Sequence, residues 1–216
     1  MIPIIEVFKS IEGEGSRSGK VCTFIRTAGC NCRCKRCDTT YSYEGGTMMS
    51  VDEIMKKVEE LGCKTITLTG GEPLLHKEVY THLLTRLLEQ QYDVNIETNG
   101  SIDLSVCDRK KHQKLMFTMD WKVVSTGMDD KMLYSNLSLL EERDVLKFVV
   151  EDELDLNQMR TIVTENVLKC QVFVSPIFGE IEMSQIIDYL KDNKLHDVRL
   201  QCQLHKIAYP PEMRGV

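Results

Sequence analysis

The stretch GCNCRCKRCDTTY, residues 29–41, holds four cysteines within eight residues. Such a group could form a disulfide knot, bind zinc or hold an iron–sulfur cluster. Cys30, Cys34 and Cys37 have the spacing C-x3-C-x2-C, and three thiolates on a short loop can bind three irons of a [4Fe–4S] cube. Zinc prefers four closed ligands, which Cys32 could complete, but no second C-x2-C pair follows. The spacing therefore favours an iron–sulfur cluster, with Cys32 as a passenger or a spare thiol.

Strand-like and helix-like segments alternate along nearly the whole chain. The run SVDEIMKKVEEL predicts an amphipathic helix whose Ser50 and Glu53 form a capping box. Further helices are predicted around residues 76–90, 129–142, 153–164 and 183–193, and the segment from about 97 to 115 is ambiguous. The alternation predicts an α/β fold in one domain, residues 1–216, with a mainly parallel sheet, open or partly closed into a barrel. The predicted strands are PIIEVF, VCTFIRT, TITLT, VNIET, LMFTMD, VLKFVV, VFVSP and VRLQCQL.

The composition narrows the classes of partner. Of the 216 residues 42% are apolar, enough for a core, and the net charge of −6 argues against nucleic acid or an anionic membrane face as a global partner. The N-terminus has no positive n-region, and no apolar run is long enough to span a membrane. These features predict a cytoplasmic, reducing location, where clustered cysteines are more often metal ligands than disulfides. The other five cysteines are interpreted as small buried hydrophobes: Cys22, Cys63, Cys107, Cys170 and Cys202.

Three further polar motifs stand at the ends of predicted strands. TGGEP follows TITLT, ETNG ends VNIET, and Asp120 and Lys122 follow LMFTM. Because ligands gather at the carboxyl ends of parallel strands, we expect these motifs to lie beside the cysteine loop. In TGGEP, Gly70 and Gly71 would let the backbone approach a ligand closely, and Glu72 would add a hydrogen-bond acceptor.

The cysteine spacing, preceded by RTAG and followed one strand later by TGGEP, resembles the radical S-adenosylmethionine (SAM) superfamily. This resemblance implies a [4Fe–4S] cluster whose open iron binds SAM, the source of a 5′-deoxyadenosyl radical. The opening EVFKSIEGEGSRSGKVCTFIRTAGC, the later ETNG, LKFVV and VSPIFGE, and the ending QLHKIAYPPEMRGV are more specific. They resemble the 7-carboxy-7-deazaguanine synthase family from about residue 4 to the C-terminus.

The family resemblance implies a fold, a reaction and a set of site residues. The fold would be an incomplete (β/α) barrel of the radical SAM type, in a homodimer reduced by a flavodoxin- or ferredoxin-like electron donor. The reaction would be the Mg²⁺-dependent ring contraction of 6-carboxy-5,6,7,8-tetrahydropterin to 7-carboxy-7-deazaguanine, with ammonia released, in the biosynthesis of queuosine and related 7-deazapurines. Thr39 would bind Mg²⁺, and Arg26 would bind the substrate carboxylate. Further substrate contacts would come from Ile11, Glu12, Gly13, Thr69 and His205, and cofactor contacts from Arg36, Cys37, Asp38, Gly71, Glu72, Asp120, Trp121, Lys122, Ser175, Pro176, Ile177 and Phe178.

Two positions depart from the family pattern, and two other functions stay open. Arg36 stands where the superfamily usually has an aromatic residue near the adenine of SAM, and Cys32 replaces a commonly apolar residue. Glu97 of ETNG is interpreted as structural. One alternative is a radical SAM activase for a glycyl-radical partner, which would not need IEGEG. The other is a non-catalytic iron–sulfur or zinc protein.

Overall fold

The fold is known from a computed structural model that describes residues 1–109, 114–210 and 213–215. Residues 110–113, in the segment of ambiguous pattern, and residues 211, 212 and 216, in the family-like ending, lie outside the described residues. The described chain forms one nine-stranded sheet. Its strands are β1 (Ile2–Ile11), β2 (Val21–Thr27), β3 (Thr47–Met49), β4 (Thr65–Gly70), β5 (Asp93–Thr98), β6 (Leu115–Trp121), β7 (Val145–Val150), β8 (Gln171–Pro176) and β9 (Val198–Leu200).

The sheet is mainly parallel, as predicted. Its order is β3-β1-β2-β4-β5-β6-β7-β8-β9, so β3 and β9 are its two ends and, over the described ranges, it does not close into a barrel. All neighbours from β2 onward are parallel, whereas β1 pairs antiparallel with both β2 and β3. The carboxyl ends of β2 and β4 to β8 therefore meet at one edge.

Helices follow the strands where the helical pattern is strongest. They are α1 (Val51–Leu61), α2 (Leu84–Glu89), α3 (Glu153–Glu165), α4 (Met183–Asp192) and α5 (Leu204–Ala208), with a π-helical turn, Val79–Leu83, leading into α2. The predicted capping box of α1 is confirmed, because Glu53 N–H donates to Ser50 Oγ at 3.2 Å and Ser50 N–H donates to Glu53 Oε2 at 2.7 Å. Among the described residues no helix has both the length and the apolarity to cross a membrane.

Two predictions of secondary structure are wrong, and one short strand was not predicted. The predicted helix 129–142 is a series of short 3₁₀ turns, because buried Asn136 donates to the carbonyls of Gly100 and Ile102 and holds this segment as a loop. The last predicted strand ends at Leu200, since the Gln201 side chain bonds both backbone groups of Gly15 instead. The short strand β3 was not predicted, and three residues are too few to give a period.

The central strands have one apolar face and one polar face. In β4, Ile66 and Leu68 are fully buried in the hydrophobic core, and the alternating residues Thr67 and Thr69 point to the opposite face. The same alternation puts polar residues of β5, β6 and β7 on that opposite face. They are Asn95, Glu97, Thr118, Asp120 and Lys147.

Candidate active site

One pocket at the carboxyl edge of the sheet collects most of the predicted site residues. The cysteine loop follows β2, the glycine turn ends β4, and Asp120 to Lys122 end β6 and begin the next loop. The segment after β1 and helix α5 close the opposite side. The predicted residues that line this pocket are Ile11, Glu12, Gly13, Arg26, Cys30, Cys34, Arg36, Cys37, Asp38, Thr39, Thr69, Gly71, Asp120, Trp121, Lys122, Ile177 and His205.

All four cysteines of the cysteine loop line the pocket, and three of them are partly exposed. Cys30, Cys34 and Cys37 are free, partly exposed and all part of the pocket lining. Within the described ranges, no three side chains of His, Cys, Asp or Glu lie close enough together to hold a single metal ion. A four-iron cluster makes a different demand, because each thiolate binds its own iron. Three separate thiols around one pocket are therefore a donor set that fits such a cluster.

Cys30 is the thiol most prepared to bind metal. Hydrogen bonding from the Cys32 thiol, opposed by burial and helped by the Cys32 N–H at 3.4 Å, lowers the pKa of Cys30 to about 6. A thiolate is the metal-binding form of cysteine. Asn99 Nδ2 donates to Cys32 Sγ at 3.4 Å and lies 3.9 Å from Cys30 Sγ. Cys32 itself is 1% exposed and is thus a buried neighbour that supports Cys30.

The glycines of TGGEP allow two loops to pack against each other. A Cβ atom on Gly71 would lie 2.2 Å from the carbonyl oxygen of Gly29, and one on Gly70 would lie 2.5 Å from that of Thr27. Gly70 also has a φ of 156°, which side-chain-bearing residues rarely adopt. The sequence predicted that a ligand would approach Gly70 and Gly71 closely. In the structure, the backbone of residues 27–29 at the start of the cysteine loop approaches them instead.

Glu72 does not face the pocket, contrary to the expectation that it would offer an acceptor to a ligand. Its carboxylate is fully buried and accepts hydrogen bonds from Leu74 N–H at 3.0 Å and Asn99 N–H at 2.7 Å. The Thr98 hydroxyl lies 3.0 Å from both carboxylate oxygens. Burial raises the pKa of Glu72 to about 7. Glu72 therefore ties the glycine turn after β4 to the end of β5.

A chain of buried and partly buried charges lines the pocket. Lys122 Nζ lies 2.9 Å from Asp120 Oδ2, and Lys147 Nζ lies 2.8 Å from Glu14 Oε2 and 3.7 Å from Asp120 Oδ2. Although burial opposes it, the charges of Glu14 and Asp120 raise the pKa of Lys147 well above its ordinary value. Lys147 therefore stays charged and orients the carboxylates on either side of it.

Glu6 holds the side chain of Arg26 in the lining of the pocket. Arg26 Nε donates to Glu6 Oε1 at 2.8 Å, and Tyr41 Oη donates to the same oxygen at 3.0 Å. The guanidinium carbon lies 6.0 Å from the centre of the Phe8 ring. This arrangement fixes the plane of the guanidinium and uses only one of its N–H groups in a charged contact, which leaves the outer donors for an anion.

Two carboxylates that act on each other, Glu12 and Glu97, also line the pocket. Glu12 is 1% exposed and bonds the Thr67 hydroxyl, and Glu97 accepts from Thr69 Oγ1 at 3.0 Å. Burial, with the nearby charge of Glu97, raises the pKa of Glu12 to about 7. The interpretation of Glu97 as a structural residue did not predict that it lines the pocket.

Gly13 admits the imidazole of His205 to the pocket. A Cβ atom at position 13 would lie 2.0 Å from His205 Nδ1, so no larger residue fits there without moving the ring. Leu204 N–H donates to the Gly13 carbonyl at 3.1 Å and fixes helix α5 against the segment after β1. Burial lowers the pKa of His205, which favours the neutral ring at neutral pH.

Thr39 lies beside a carboxylate at the mouth of the pocket. Its hydroxyl donates to Asp38 Oδ1 at 2.8 Å, and Lys206 Nζ lies 3.2 Å from Asp38 Oδ2. Together Thr39 and Asp38 present oxygen atoms of the kind that Mg²⁺ prefers.

The segment after β8 is only partly in the pocket. Of its predicted residues Ile177 lines the pocket, whereas Ser175 is fully buried and Phe178 is 61% exposed on the outside. Pro176 also lies outside the described lining. Arg36 Nη1 lies 2.7 Å from Glu180 Oε1 in this segment, and Arg36 Nε lies 3.3 Å from Glu151 Oε2. The guanidinium of Arg36 therefore bridges the loops that follow β7 and β8.

Sequence reasoning missed several residues of the pocket. Glu14, Asn99, Lys147 and Lys206 all line it. For Lys147 a signal was present, because a lysine inside the buried strand VLKFVV must find a charged partner. The prediction that the five scattered cysteines are buried is confirmed for Cys22 and Cys107. It is wrong for the other three, which are partly exposed: Cys63, Cys170 and Cys202.

Known proteins are similar to this chain in both sequence and fold. The sequence profile of the radical SAM superfamily matches residues 24–147. A 7-carboxy-7-deazaguanine synthase of Clostridium acetobutylicum is 44% identical over 99% of this chain and 98% of that protein. One of Chlorobaculum tepidum is 35% identical over 99% of this chain and 96% of that protein.

A solved structure has the same architecture. The crystal structure of QueE from Escherichia coli aligns with a TM-score of 0.74 at 22% identity, over 94% of each chain. This likeness concerns the fold, which is the incompletely closed, mainly parallel sheet of a radical SAM protein. Because the chain is 44% and 35% identical to the two synthases over 99% of its length, it belongs to the radical SAM superfamily and, within it, to the 7-carboxy-7-deazaguanine synthase family.

Proposed function

We propose that this chain is a 7-carboxy-7-deazaguanine synthase that converts 6-carboxy-5,6,7,8-tetrahydropterin to 7-carboxy-7-deazaguanine and releases ammonia. One observation carries the proposal: a single pocket is lined by the thiols of the cysteine loop together with Arg26, Glu12 and Glu97. The names of the full-length relatives support the same reaction. Residues 1–216 would act as one radical SAM domain.

The cofactor side would be built on the cysteine loop. Cys30, Cys34 and Cys37 would hold the [4Fe–4S] cluster, and the lowered pKa of Cys30 supports binding as a thiolate. When bound together, the cluster and SAM supply radical chemistry that no side chain can perform. Around them the protein provides the glycine turn at Gly71 and the partly buried ion pair of Asp120 and Lys122. The other SAM contacts would be Arg36, Cys37, Asp38, Trp121 and Ile177, all in the pocket lining.

The substrate side would recognise a pterin by charge and hydrogen bonding. The outer N–H groups of Arg26 would pair with the substrate carboxylate, and Glu6 keeps the guanidinium in place at 2.8 Å. A pterin carries N–H donors at the end opposite its carboxylate, and Glu12 and Glu97 offer carboxylate acceptors for them. Glu12 has a pKa of about 7, so it can hold or release a proton near neutral pH. Ile11, Gly13, Thr69 and His205 would complete the walls of this side.

Mg²⁺ would bind where the two sides meet. Thr39 would offer its hydroxyl, and substrate and water would supply further oxygen ligands. The 2.8 Å hydrogen bond to Asp38 supports this role because it orients the hydroxyl oxygen. A metal ion at this place would hold the substrate carboxylate in position.

Three further properties come from the family resemblance. The protein would form a homodimer, receive electrons from a flavodoxin- or ferredoxin-like carrier, and act in the cytoplasm. The product would feed the biosynthesis of queuosine and other 7-deazapurines. A small-molecule substrate agrees with a pocket whose polar groups come from within one chain.

The reaction can be tested directly under anaerobic conditions. The reconstituted protein is incubated with 6-carboxy-5,6,7,8-tetrahydropterin, SAM, Mg²⁺ and dithionite, and the products are identified by mass spectrometry. We expect 7-carboxy-7-deazaguanine from the wild type and none from Cys37→Ala, which lacks one cluster ligand. An intact cluster that responds to SAM but gives no deazapurine would contradict the proposed reaction.

A further inference from the structure

Cys32 is the thiol of the cysteine loop that the proposed cluster does not use. It is 1% exposed, whereas Cys30, Cys34 and Cys37 are partly exposed. Among the described residues, the buried thiol of Cys107 packs in the hydrophobic core, but Cys32 is not part of that core and lines the pocket instead. The burial of Cys32 is therefore not that of an ordinary small apolar residue, and its place beside a metal ligand calls for a chemical explanation.

The sulfur atoms of Cys30 and Cys32 are neighbours. The Cys32 thiol hydrogen-bonds Cys30, and the Cys32 N–H donates to Cys30 Sγ at 3.4 Å. Asn99 Nδ2 lies 3.4 Å from Cys32 Sγ and 3.9 Å from Cys30 Sγ. One amide group thus contacts both sulfurs and keeps them on the same side of the loop.

The backbone of this segment has the shape that a short bridge requires. Arg33 Nη1 donates to the carbonyls of Cys30 and Cys32, each at 2.7 Å. Because one nitrogen binds both carbonyls, the guanidinium holds the segment as a compact turn. Residues two apart in a chain have Cα atoms at most about 7 Å apart, and disulfides join Cα atoms roughly 4.4–6.8 Å apart, so the bridge closes with a small adjustment.

The other two thiols of the loop have different neighbours. The Cys37 N–H donates to the Cys34 carbonyl at 3.4 Å, which places these two residues on the next turn of the loop. The Tyr43 hydroxyl hydrogen-bonds the Cys37 sulfur. Cys32 is therefore the thiol best placed to react with Cys30.

We propose that Cys30 and Cys32 form a reversible disulfide when the protein has lost its cluster, with Cys32 as the resolving thiol. The proposal rests on the proposed function in one respect, because it takes Cys30 as a cluster ligand. Without iron the partly exposed sulfur of Cys30 is open to oxidants, and a thiol that reaches the sulfinic acid no longer binds iron. The disulfide stops the oxidation one stage earlier, at a state that a dithiol reverses.

The oxidation balances with a peroxide as the oxidant. The Cys30 thiol takes one oxygen atom from hydrogen peroxide and becomes a sulfenic acid, and the first water is released. The Cys32 sulfur then attacks the Cys30 sulfur, so that the S–S bond forms, the S–O bond breaks, and the oxygen leaves as the second water with the thiol proton of Cys32. Together the two thiols lose two electrons and two protons, and the peroxide becomes two waters.

A peptide of the wild type reads the bridge directly. The full-length protein is freed of iron with a chelator, reduced, and treated without oxygen with one molar equivalent of hydrogen peroxide. Remaining thiols are blocked with N-ethylmaleimide, and the protein is digested with trypsin. Cleavage after Arg26 and Arg33 releases TAGCNCR, residues 27–33, in which Cys30 and Cys32 are the only cysteines.

The mass of this peptide decides the outcome. We expect it without maleimide and two hydrogen atoms lighter than its dithiol form, and we expect dithiothreitol to restore both thiols. Maleimide on Cys32 would overturn the proposal, and so would a disulfide that joins Cys30 to Cys34 or Cys37.

Cys32→Ser tests whether Cys32 resolves the oxidised Cys30. Cys63→Ser is the matched control, because Cys63 is also a free thiol and a serine can keep its 3.4 Å hydrogen bond to the Val21 carbonyl. Each protein is oxidised in the presence of dimedone, which traps sulfenic acids. We expect at least about fivefold more dimedone on Cys30 in Cys32→Ser than in the wild type or Cys63→Ser, since no neighbouring thiol removes the sulfenic acid. Equal labelling of Cys30 in all three proteins would contradict the resolving role.

These readouts are independent of the proposed reaction. Peptide masses are measured without SAM or pterin, so a failure to form deazapurine in the turnover assay would leave them unchanged. Conversely, a protein that forms deazapurine but shows no bridge between Cys30 and Cys32 would retain the proposed function and refute the disulfide.

Discussion

Replacing Glu72 by alanine tests whether its carboxylate is a structural tie or a ligand contact. The carboxylate is fully buried and accepts hydrogen bonds from Leu74 N–H, Asn99 N–H and the Thr98 hydroxyl. Removing it leaves these three donors without their acceptor. An unsatisfied buried polar group costs about 1–3 kcal/mol, so the three together cost roughly 6 kcal/mol.

Part of this cost is offset by the loss of a buried charge. The pKa of Glu72 is raised from 4.5 to about 7, and each pKa unit corresponds to about 1.4 kcal/mol, so ionisation at neutral pH costs the fold about 3 kcal/mol. The alanine variant no longer has this penalty. We therefore expect Glu72→Ala to lower the free energy of unfolding by about 3 kcal/mol at pH 7.

The assay is urea unfolding of the cluster-free protein under reducing conditions, followed by circular dichroism. Glu78→Ala is the matched control, because Glu78 is exposed a few residues further along the chain, at the start of the helical segment that leads into α2, and its change should stay within about 0.5 kcal/mol. A loss below about 1 kcal/mol for Glu72→Ala would refute the structural role. So would a large loss of SAM affinity in Glu72→Gln with unchanged stability, since only a direct ligand contact gives that pattern.

Three further predictions concern the pocket. Thr39→Ala should lower turnover about tenfold or more and raise the Mg²⁺ requirement while the protein stays brown; loss of the cluster in this variant would contradict a role in Mg²⁺ binding. Cys37→Ser should lose bound iron, whereas Cys32→Ser should retain the cluster, as judged by iron content and absorbance near 400 nm; equal losses would make Cys32 a ligand. For Glu12 the pKa rises from 4.5 to about 7 on folding, so the folded state binds more protons in this range and loses stability as pH rises from about 4.5 to above 7. Relative to wild type, Glu12→Gln should therefore gain about 3 kcal/mol of unfolding free energy between pH 5 and 8. A difference in unfolding free energy between the two proteins that stays constant over this pH range would contradict the raised pKa of Glu12.

The parts of the fold that could be predicted are those determined by local sequence. The capping box of Ser50 and Glu53 and the apolar face of Ile54 and Val58 define α1 without any other part of the chain. The alternation of strands and helices predicts a parallel sheet, and that sheet brings the motifs after its strands to one edge. The cysteine loop, the glycine turn and Asp120 meet there for this reason.

The parts that were missed depend on contacts between distant segments. Asn136 holds the loop at 134–139 by bonding Gly100 and Ile102, more than thirty residues away. The side chain of Glu72 could point to the pocket or away from it, and its direction depends on Asn99 on the neighbouring strand end.

The polar face of the sheet illustrates a signal that was present but not used. Glu97 follows the buried Ile96 in β5, and Lys147 lies between the buried Leu146 and Phe148 in β7. Their position becomes meaningful once the two-residue period of each strand assigns them to the face opposite the core. Sequence alone gives that period but not which face encloses a pocket.

The most direct test of the account is the amount of deazapurine formed per SAM consumed. The thiols of the cysteine loop and Arg26 line one pocket, and the family resemblance implies that SAM is recycled. The reconstituted protein is given limiting SAM and excess 6-carboxy-5,6,7,8-tetrahydropterin, and both 7-carboxy-7-deazaguanine and 5′-deoxyadenosine are quantified by mass spectrometry. We expect many molecules of product for each SAM lost. Cleavage of SAM without any deazapurine would contradict it.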